Sequence, residues 1–366
     1  MNQKSIEEKY IKRCFELAKK GSGFVSPNPL VGSVIVKNNK IISEGWHEKF
    51  GLPHAEANAI ANSKEDLTGA ALYCNLEPCC HTKKKTPPCV PRIIKAGIKK
   101  VVISNYDPNP EVSGKGVQLL RDAGIEVATG ILEGEGKEVN KFFFKHVTTK
   151  LPYVALKIAQ SIDGKISAKK GEQTWLTGDE SAKYVHTLRA EYDSVLVGAG
   201  TVNIDNPFLN VRHVKGRNPK KIIIDGNLST NINSNVYSFG AETYLMTSKN
   251  IKIKKKEKFD AKNVKIIELD HDSNGYINVE NMLIKLGEEK INSVLVEGGT
   301  EIFTTFFNNN FWDELIILQA PLLIGSGISS IKNYKKRELK LFSVEKLGND
   351  VKYIFKNGSE SGIWDY

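Results

Sequence analysis

The sequence predicts an α/β protein built from two consecutive domains. Three observations carry this reading. The chain has 366 residues, which at roughly 150 residues per domain makes two domains. Short β-branched runs alternate with helical patterns along the whole length, as in a layered sheet with helices packed on it. The composition is that of a globular fold, 40% hydrophobic and 26% charged, which excludes a mostly disordered chain, a collagen or a disulfide scaffold.

In the first block, Ser5-Ile6-Glu7-Glu8 is a capping-box pattern. Ile6, Tyr10, Cys14, Leu17 and Ala18 follow at helical spacing, and Gly21 ends the run. Residues 31–36 read as a strand, Asn38-Asn39 as a turn, and Ile41-Ile42 as the start of a return strand. Residues 54–61 read as helix, 71–75 as strand and 90–96 as a helix closed by Gly97. Residues 101–104, 116–123 and 125–129 continue as strand, helix and strand. A second block of elements starts near Leu151-Pro152 and the boundary is abrupt, near residues 147–152, so the domains are placed at 1–148 and 149–366, with a packed joint expected between them. In the second block, strands are expected at 153–158, 194–197, 221–224, 243–246, 264–268, 293–296 and 314–319. Helices are expected at 182–190, 281–286 and 301–308.

The longest apolar run, residues 315–324, is broken by Gln319 and Pro321 and is too short to span a bilayer. The N-terminus has no apolar core of a signal peptide. A cytoplasmic protein without a membrane partner is expected. Net charge is +10, which suits nucleic acid, anionic lipid or phosphorylated small molecules, and equally a lysine-rich surface. Lys83-Lys84-Lys85 and residues 252–258 carry no interleaved aromatics and read as solvated faces.

Four of the five cysteines (Cys74, Cys79, Cys80 and Cys89) fall close together, and the fifth is Cys14. Without a secretion signal, metal binding or catalysis is the better reading of the cluster. Pro53-His54-Ala55-Glu56 sets a histidine and a carboxylate two apart at a helix start. Glu77-Pro78-Cys79-Cys80-His81 follows, then Thr86-Pro87-Pro88-Cys89 at the mouth of the next helix. His54, Cys79 and Cys89 can supply three ligands to Zn²⁺ and leave the fourth position to water, as catalytic zinc sites do. Zinc brings the pKa of water toward neutrality, and Glu56, which need not be a ligand, can take the proton from water and return it to a leaving amine. This is the pattern of zinc-dependent deaminases. The plain structural alternative is a helix-start histidine beside buried thiols. Cys14, on an amphipathic helix, and Cys74, in a strand, read as buried thiols.

Ser26-Pro27-Asn28-Pro29-Leu30-Val31-Gly32, His54-Ala55-Glu56, Leu76-Glu77-Pro78-Cys79, Thr86-Pro87-Pro88-Cys89 and Asp107-Pro108-Asn109-Pro110 resemble the bifunctional deaminase–reductases of riboflavin biosynthesis. The resemblance covers nearly the whole chain. It implies a cytidine-deaminase-like three-layer αβα domain followed by a dihydrofolate-reductase-like α/β domain, with Zn²⁺ and NADPH as cofactors. The chain departs from the family in one place. Cys79 and Cys89 are one residue further apart than usual, and Cys80 and Lys83-Lys84-Lys85 replace a more typical Ser and Gly-Lys. Cys80 therefore remains an alternative to Cys79, which is preferred because it directly follows Pro78. The resemblance assigns His81 to the substrate side or to support of the ligands. Asn28, in a stiff Pro-Asn-Pro loop, would read the edge of a pyrimidine; a plain turn is the alternative.

The second block has no G-x-G-x-x-G loop after its first strand. Residues 157–164, Gly198-Ala199-Gly200-Thr201 and Glu297-Gly298-Gly299-Thr300 each follow a strand, where glycines admit a ligand and free N–H groups can cradle phosphate. Tight turns explain each segment as well. On the resemblance, Ala159, Trp175, Thr201, Asp205, Gly298 and Gly299 would face NADPH. Arg189 and Arg212 would hold the substrate's ribose phosphate through planar guanidinium forks, with surface ion pairs as the alternative. Thr174, Leu209 and Glu297 would line the substrate side. Gln173 stands where the family often has Ser. His186, three residues before Arg189 on one helix face, reads either as a phosphate partner or as a packed side chain.

The implied function is two consecutive reactions. The first is hydrolytic deamination of 2,5-diamino-6-(5-phosphoribosylamino)pyrimidin-4-one, and the second is NADPH-dependent reduction of the ribosyl side chain to ribityl. The expected partners are this phosphoribosylated pyrimidine and further copies of the chain, as a dimer or tetramer. A nucleic-acid deaminase would leave the second domain unexplained, because no RNA-binding module is recognisable there. A non-catalytic zinc module would have no need of Glu56.

Overall fold

The computed structural model describes residues 3–81, 86–238, 240–260, 264–273 and 275–358. Lys83-Lys84-Lys85 lie outside the described residues. The chain divides into two compact units, Met1–Lys150 and Leu151–Tyr366.

The first unit runs α1 (Gln3–Lys19), β1 (Gly32–Lys37), β2 (Lys40–Trp46), α2 (Ala55–Asn62), β3 (Ala71–Leu76), α3 (Cys89–Lys95) and β4 (Lys100–Asn105). Then come α4 (Lys115–Asp122), β5 (Glu126–Ala128), α5 (Glu133–Val139) and α6 (Lys141–Thr149). The five strands form one sheet in the order β2-β1-β3-β4-β5. The β1–β2 and β1–β3 pairs are antiparallel, and β3–β4 and β4–β5 are parallel. Asn38 and Asn39 both take positive φ, 51° and 59°, between paired Lys37 and Lys40. Two left-handed residues in a two-residue hairpin match the twist of the strands.

Period-two alternation sorts the strand side chains into two cores. Ile35, Leu72, Cys74, Val101 and Ile103 pack with residues of α2, α3 and α4. Val34, Val36, Tyr73 and Val102 pack on the other face with Tyr10, Ile11, Cys14 and Leu17 of α1. The result is three layers, helix–sheet–helix. The first helix begins at Gln3, so Ser5 lies inside it and not at its N-cap.

The second unit runs β6 (Tyr153–Ser161), β7 (Lys165–Ser167), α7 (Asp179–Glu191), β8 (Ser194–Gly198), α8 (Ala199–Asp205), β9 (Lys220–Ile224), β10 (Thr243–Ser248), α9 (Ile253–Asp260) and β11 (Val264–Leu269). Then come α10 (Val279–Glu288), β12 (Ser293–Val296), α11 (Thr300–Asn308), β13 (Glu314–Ala320), β14 (Ile328–Ser329), β15 (Lys340–Leu347) and β16 (Asp350–Lys356). A nine-stranded sheet has the order β11-β10-β9-β8-β12-β6-β13-β16-β15. It is parallel from β11 to β13 and antiparallel across β13–β16 and β16–β15. One face packs against α10 and α11 through Met282, Leu286, Phe303 and Phe306. The opposite face packs Val195, Val197, Ile223 and Leu245 against Val202, Leu209, Val236 and Phe259. The terminal hairpin β15–β16 and the short helices α5, α6, α8 and α9 carry no hydrophobic period long enough to announce them in the sequence.

Gly45 sets how closely α2 lies on β2. A Cβ there would sit 2.6 Å from the Ala55 carbonyl oxygen, and nearer still to the Ala59 amide nitrogen. Backbone cannot yield as a flexible side chain would. Gly45→Ala is expected to cost about 1–3 kcal/mol, as overpacking does. The check is thermal unfolding followed by circular dichroism, where the transition should fall by several degrees.

Candidate active sites

In the first unit, β3 and β4 end at the same edge of the sheet, the usual place for a site in an open α/β layer. The loop after β3 carries Glu77, Cys79 and Cys80, and the loop after β4 carries Asp107. Glu77 is buried, and its carboxylate accepts N–H bonds from Asp107 (3.3 Å), Gly114 (3.0 Å) and Val117 (3.1 Å). That one side chain ties the two loops together. A third loop, bearing Asn28, is pinned by two amide side chains. Asn140 accepts from the Leu30 N–H at 2.8 Å, and Asn75 and Asn140 both donate to the Leu30 carbonyl at 2.9 Å.

These loops and the N-terminus of α2 enclose a cavity of about 320 Å³, lined among others by Asn28, His47, His54, Glu56, Cys79 and Asp107. His54 is the N-cap residue of α2, and Glu56 is in its first turn, 3% exposed. Cys89 opens α3 behind Pro88. Donor atoms of His54, Cys79 and Cys89 lie within 4.8 Å of one another. His54 Nδ1 is 3.5 Å from Cys79 Sγ and 3.6 Å from Cys89 Sγ. One imidazole and two thiols, close enough to share an ion, are a donor set suited to zinc. Cys80 stands outside this group and packs partly against the core under α3. Burial pushes the Cys80 thiol up, with Glu77 adding to the effect. Cys14 and Cys74 are fully buried, and burial raises both thiols.

His47 is a site residue that the sequence did not single out. It is 2% exposed, its Nε2 lies 3.1 Å from Asn28 Nδ2 and its Nδ1 3.0 Å from the Pro53 carbonyl. A lone histidine after a strand gives no pattern to find it by. His81 also lines the cavity.

In the second unit, β8, β12 and β6 are adjacent parallel strands, so the segments after them emerge side by side. Ala159 is near the end of β6, Thr201 in the first turn of α8, and Gly298-Gly299 between β12 and α11. Helices α8 and α11 both begin behind a glycine, Gly198 and Gly299. A Cβ on Gly200 would meet nothing within 4 Å, and one on Gly299 would find Thr201 Oγ1 at 3.7 Å. Open glycine backbone at neighbouring helix starts suits the phosphates of a dinucleotide. Gly298 has another reason to be glycine: a Cβ would lie 2.6 Å from the Ile302 side chain. Asp205, in the last turn of α8, is half-buried, and burial raises its carboxyl. Trp175 is 81% exposed. The Thr174 hydroxyl accepts from the Ala168 N–H at 3.1 Å.

Glu297 is the electrostatic centre of this edge. Arg189 donates to it through Nε at 2.7 Å and Nη2 at 2.9 Å, and Lys157 Nζ lies 3.1 Å away. Burial alone would push this carboxyl up, but the Arg189 and Lys157 charges outweigh it and hold its pKa at about 2. Arg189 is thus no surface ion pair. It is mostly covered, its side chain 11% exposed, with its fork closed on Glu297 and Nη1 donating to the Asn210 carbonyl at 3.3 Å. Arg212 donates from Nη1 to Asn210 Oδ1. His186 is buried and its Nδ1 accepts the Arg212 N–H at 3.2 Å. Burial, then Arg189 and Arg212, lower its pKa to about 4, so it is a packed neutral ring. Leu209 is 2% exposed within the core, at φ 53°. Its side chain faces inward, so only its backbone is placed to meet a ligand.

Two family models match this chain. The cytidine and deoxycytidylate deaminase zinc-binding region matches residues 4–105, and the RibD C-terminal domain matches residues 152–353. The chain belongs to the RibD family. It is 42% identical to the riboflavin biosynthesis protein RibD of Aquifex aeolicus, over 96% of this chain and 99% of that one. Its identity to the Escherichia coli RibD is 33%, over 94% and 98%. A Thermotoga maritima crystal structure, described as a diaminohydroxyphosphoribosylaminopyrimidine deaminase/5-amino-6-(5-phosphoribosylamino)uracil reductase, superposes with a TM-score of 0.87 at 40% identity, covering 97% of this chain and 99% of that one. Acinetobacter baumannii RibD superposes with a TM-score of 0.88 at 33% identity, over 97% and 99%. RibD proteins are bifunctional. This chain combines a zinc-dependent deaminase domain of cytidine-deaminase type with an NADPH-dependent, dihydrofolate-reductase-like reductase domain, both serving riboflavin biosynthesis. Among the described residues, no helix is long and apolar enough to cross a membrane.

The geometry separates the two neighbouring cysteines. Cys79→Ser is expected to lose zinc, and Cys80→Ser to keep about one ion per chain, by elemental analysis of the purified proteins.

Proposed function

We propose that the first unit hydrolyses the amino group of 2,5-diamino-6-(5-phosphoribosylamino)pyrimidin-4-one and that the second reduces the ribosyl group of the product to ribityl. The observation that supports this most directly is that the donor atoms of His54, Cys79 and Cys89 converge beside a cavity that His54, Cys79 and Glu56 line. His54, Cys79 and Cys89 would hold zinc. When bound, the ion supplies Lewis acidity that makes water a competent nucleophile near neutral pH. Glu56, lining the same cavity, would accept a proton from the attacking water and return it to the departing nitrogen, so that ring C–NH₂ becomes C=O and ammonia leaves. Asn28, steadied by His47, reads the polar edge of the pyrimidine.

In the second unit, Ala159, Trp175, Thr201, Asp205, Gly298 and Gly299 receive NADPH, which supplies the reducing equivalents when bound. Arg212 meets the ribose phosphate, and Arg189 reaches the same anion with the N–H remaining on each terminal nitrogen. Thr174, Glu297 and the Leu209 backbone complete the substrate wall. The enzyme works in the cytoplasm as a homo-oligomer. Exposed Leu341, Phe342 and Val344 on the edge strand β15 are its candidate contact, since apolar clusters at a surface mark interfaces.

Two variants test the halves separately. Glu56→Gln is expected to retain zinc while ammonia release falls by several orders of magnitude. Its NADPH oxidation with the deaminated ribotide should match wild type. Normal ammonia release would remove Glu56 from the mechanism.

Arg212→Ala should raise KM for the ribotide roughly ten- to a hundredfold, given about 1.5–3 kcal/mol for a charge-assisted contact. KM for NADPH should stay within about twofold, a margin worth less than 1 kcal/mol. A collapse of NADPH binding instead would place Arg212 at the cofactor.

A further inference from the structure

Thr86 belongs to the Thr86-Pro87-Pro88-Cys89 segment, yet no role above uses it. Its Oγ1 lies 3.1 Å from His54 Nε2. The other ring nitrogen, Nδ1, faces the two thiols at 3.5 and 3.6 Å. A neutral imidazole carries one proton, so one nitrogen donates and the other offers a lone pair. A nitrogen that coordinates a metal must be the bare one. If Nδ1 meets the ion, the proton is on Nε2, and the Thr86 hydroxyl oxygen stands where it can accept that N–H.

The backbone makes this contact stiff. Pro87 and Pro88 follow Thr86 directly, and proline locks φ near −65°; Pro88 sits at φ −62°, ψ 151° as the N-cap of α3. The segment therefore spaces the Thr86 hydroxyl and the Cys89 thiol rigidly. One reaches the far side of the His54 ring and the other its near side. Cys89 is held in turn by its own N–H, which donates to the Cys79 carbonyl at 3.0 Å. The His54 side chain makes no capping bond to α2.

We infer that Thr86 is a positioning residue of the zinc site, holding His54 as the Nε2–H tautomer with Nδ1 turned toward Cys79 and Cys89. Partners of this kind fix ring orientation and raise ligand basicity, and their loss typically costs ten- to a hundredfold in metal affinity. The inference rests on the assignment of His54 as a zinc ligand.

The test measures zinc affinity of the full-length protein by competition with a chromophoric chelator, for Thr86→Val, Thr86→Ala, Thr86→Ser and His54→Ala. Valine keeps the shape and removes the acceptor, alanine removes both without overpacking, and serine keeps the hydroxyl. The expected result is affinity lowered roughly ten- to a hundredfold in valine and alanine, with serine within about threefold of wild type. Deamination by the valine variant should recover at high zinc, and its NADPH-dependent reduction should be unchanged, which shows that the chain is folded. Wild-type affinity in valine and alanine would overturn the inference, as would equal losses in all three Thr86 variants, since the segment's packing and not its hydroxyl would then matter. If His54→Ala itself keeps wild-type affinity, the ligand assignment fails. If only His54→Ala loses zinc, the role of Thr86 alone fails.

Discussion

Pro88, the N-cap residue of α3, offers no side-chain cap, and the candidate deaminase site is built on how that need is met. Amides at a helix start lack partners within the helix. Here the Cys89 and Val90 N–H groups both donate to the Cys79 carbonyl, at 3.0 and 3.2 Å, and the Cys89 N–H also points at Cys79 Sγ at 3.4 Å. The loop after β3 is therefore the cap of α3. Two thiols distant in sequence are drawn together by backbone hydrogen bonds. His54 is brought in independently, by the packing of α2 on β2 at Gly45, and Glu77 keeps the neighbouring loop after β4 in place.

The reductase edge solves a different problem. Glu297 is a buried carboxylate at the end of β12, just before the two glycines that open α11. Such a charge is tolerated only when it is paired. Arg189 from α7 and Lys157 from β6 both pair with it, so three elements that contribute to the site are fastened at one point. Removing one partner of such a buried set is costly because the others remain desolvated.

The candidate zinc donors were legible in the sequence because their chemistry is local. A His-x-Glu at a helix start and two Pro-Cys steps state both the residue types and the elements that present them. The paired strands and the principal helices were legible for a related reason, since burial on one or two faces imposes a period on the side chains. Less regular segments were not. The hairpin β15–β16 exposes most of β15 to solvent, so it shows no clean alternation. His47 carries no pattern at all; it became visible only where β2 brings it beside Asn28 and Pro53.

By itself the sequence determined the two α/β domains, the family, and a candidate donor set of His54, Cys89 and one of the adjacent pair Cys79 and Cys80, with Glu56 alongside. These follow from hydrophobic periodicity and from motifs a few residues long. Tertiary structure alone decided which of two adjacent cysteines faces His54, because the answer depends on a carbonyl capping a helix that starts ten positions later in the chain. It also decided that Arg189 closes on Glu297, across 108 residues, that His186 is a neutral packed ring, and that Leu209 turns into the core. In each case the outcome is set by partners far away in sequence, whose distance and burial exist only once the sheet has formed.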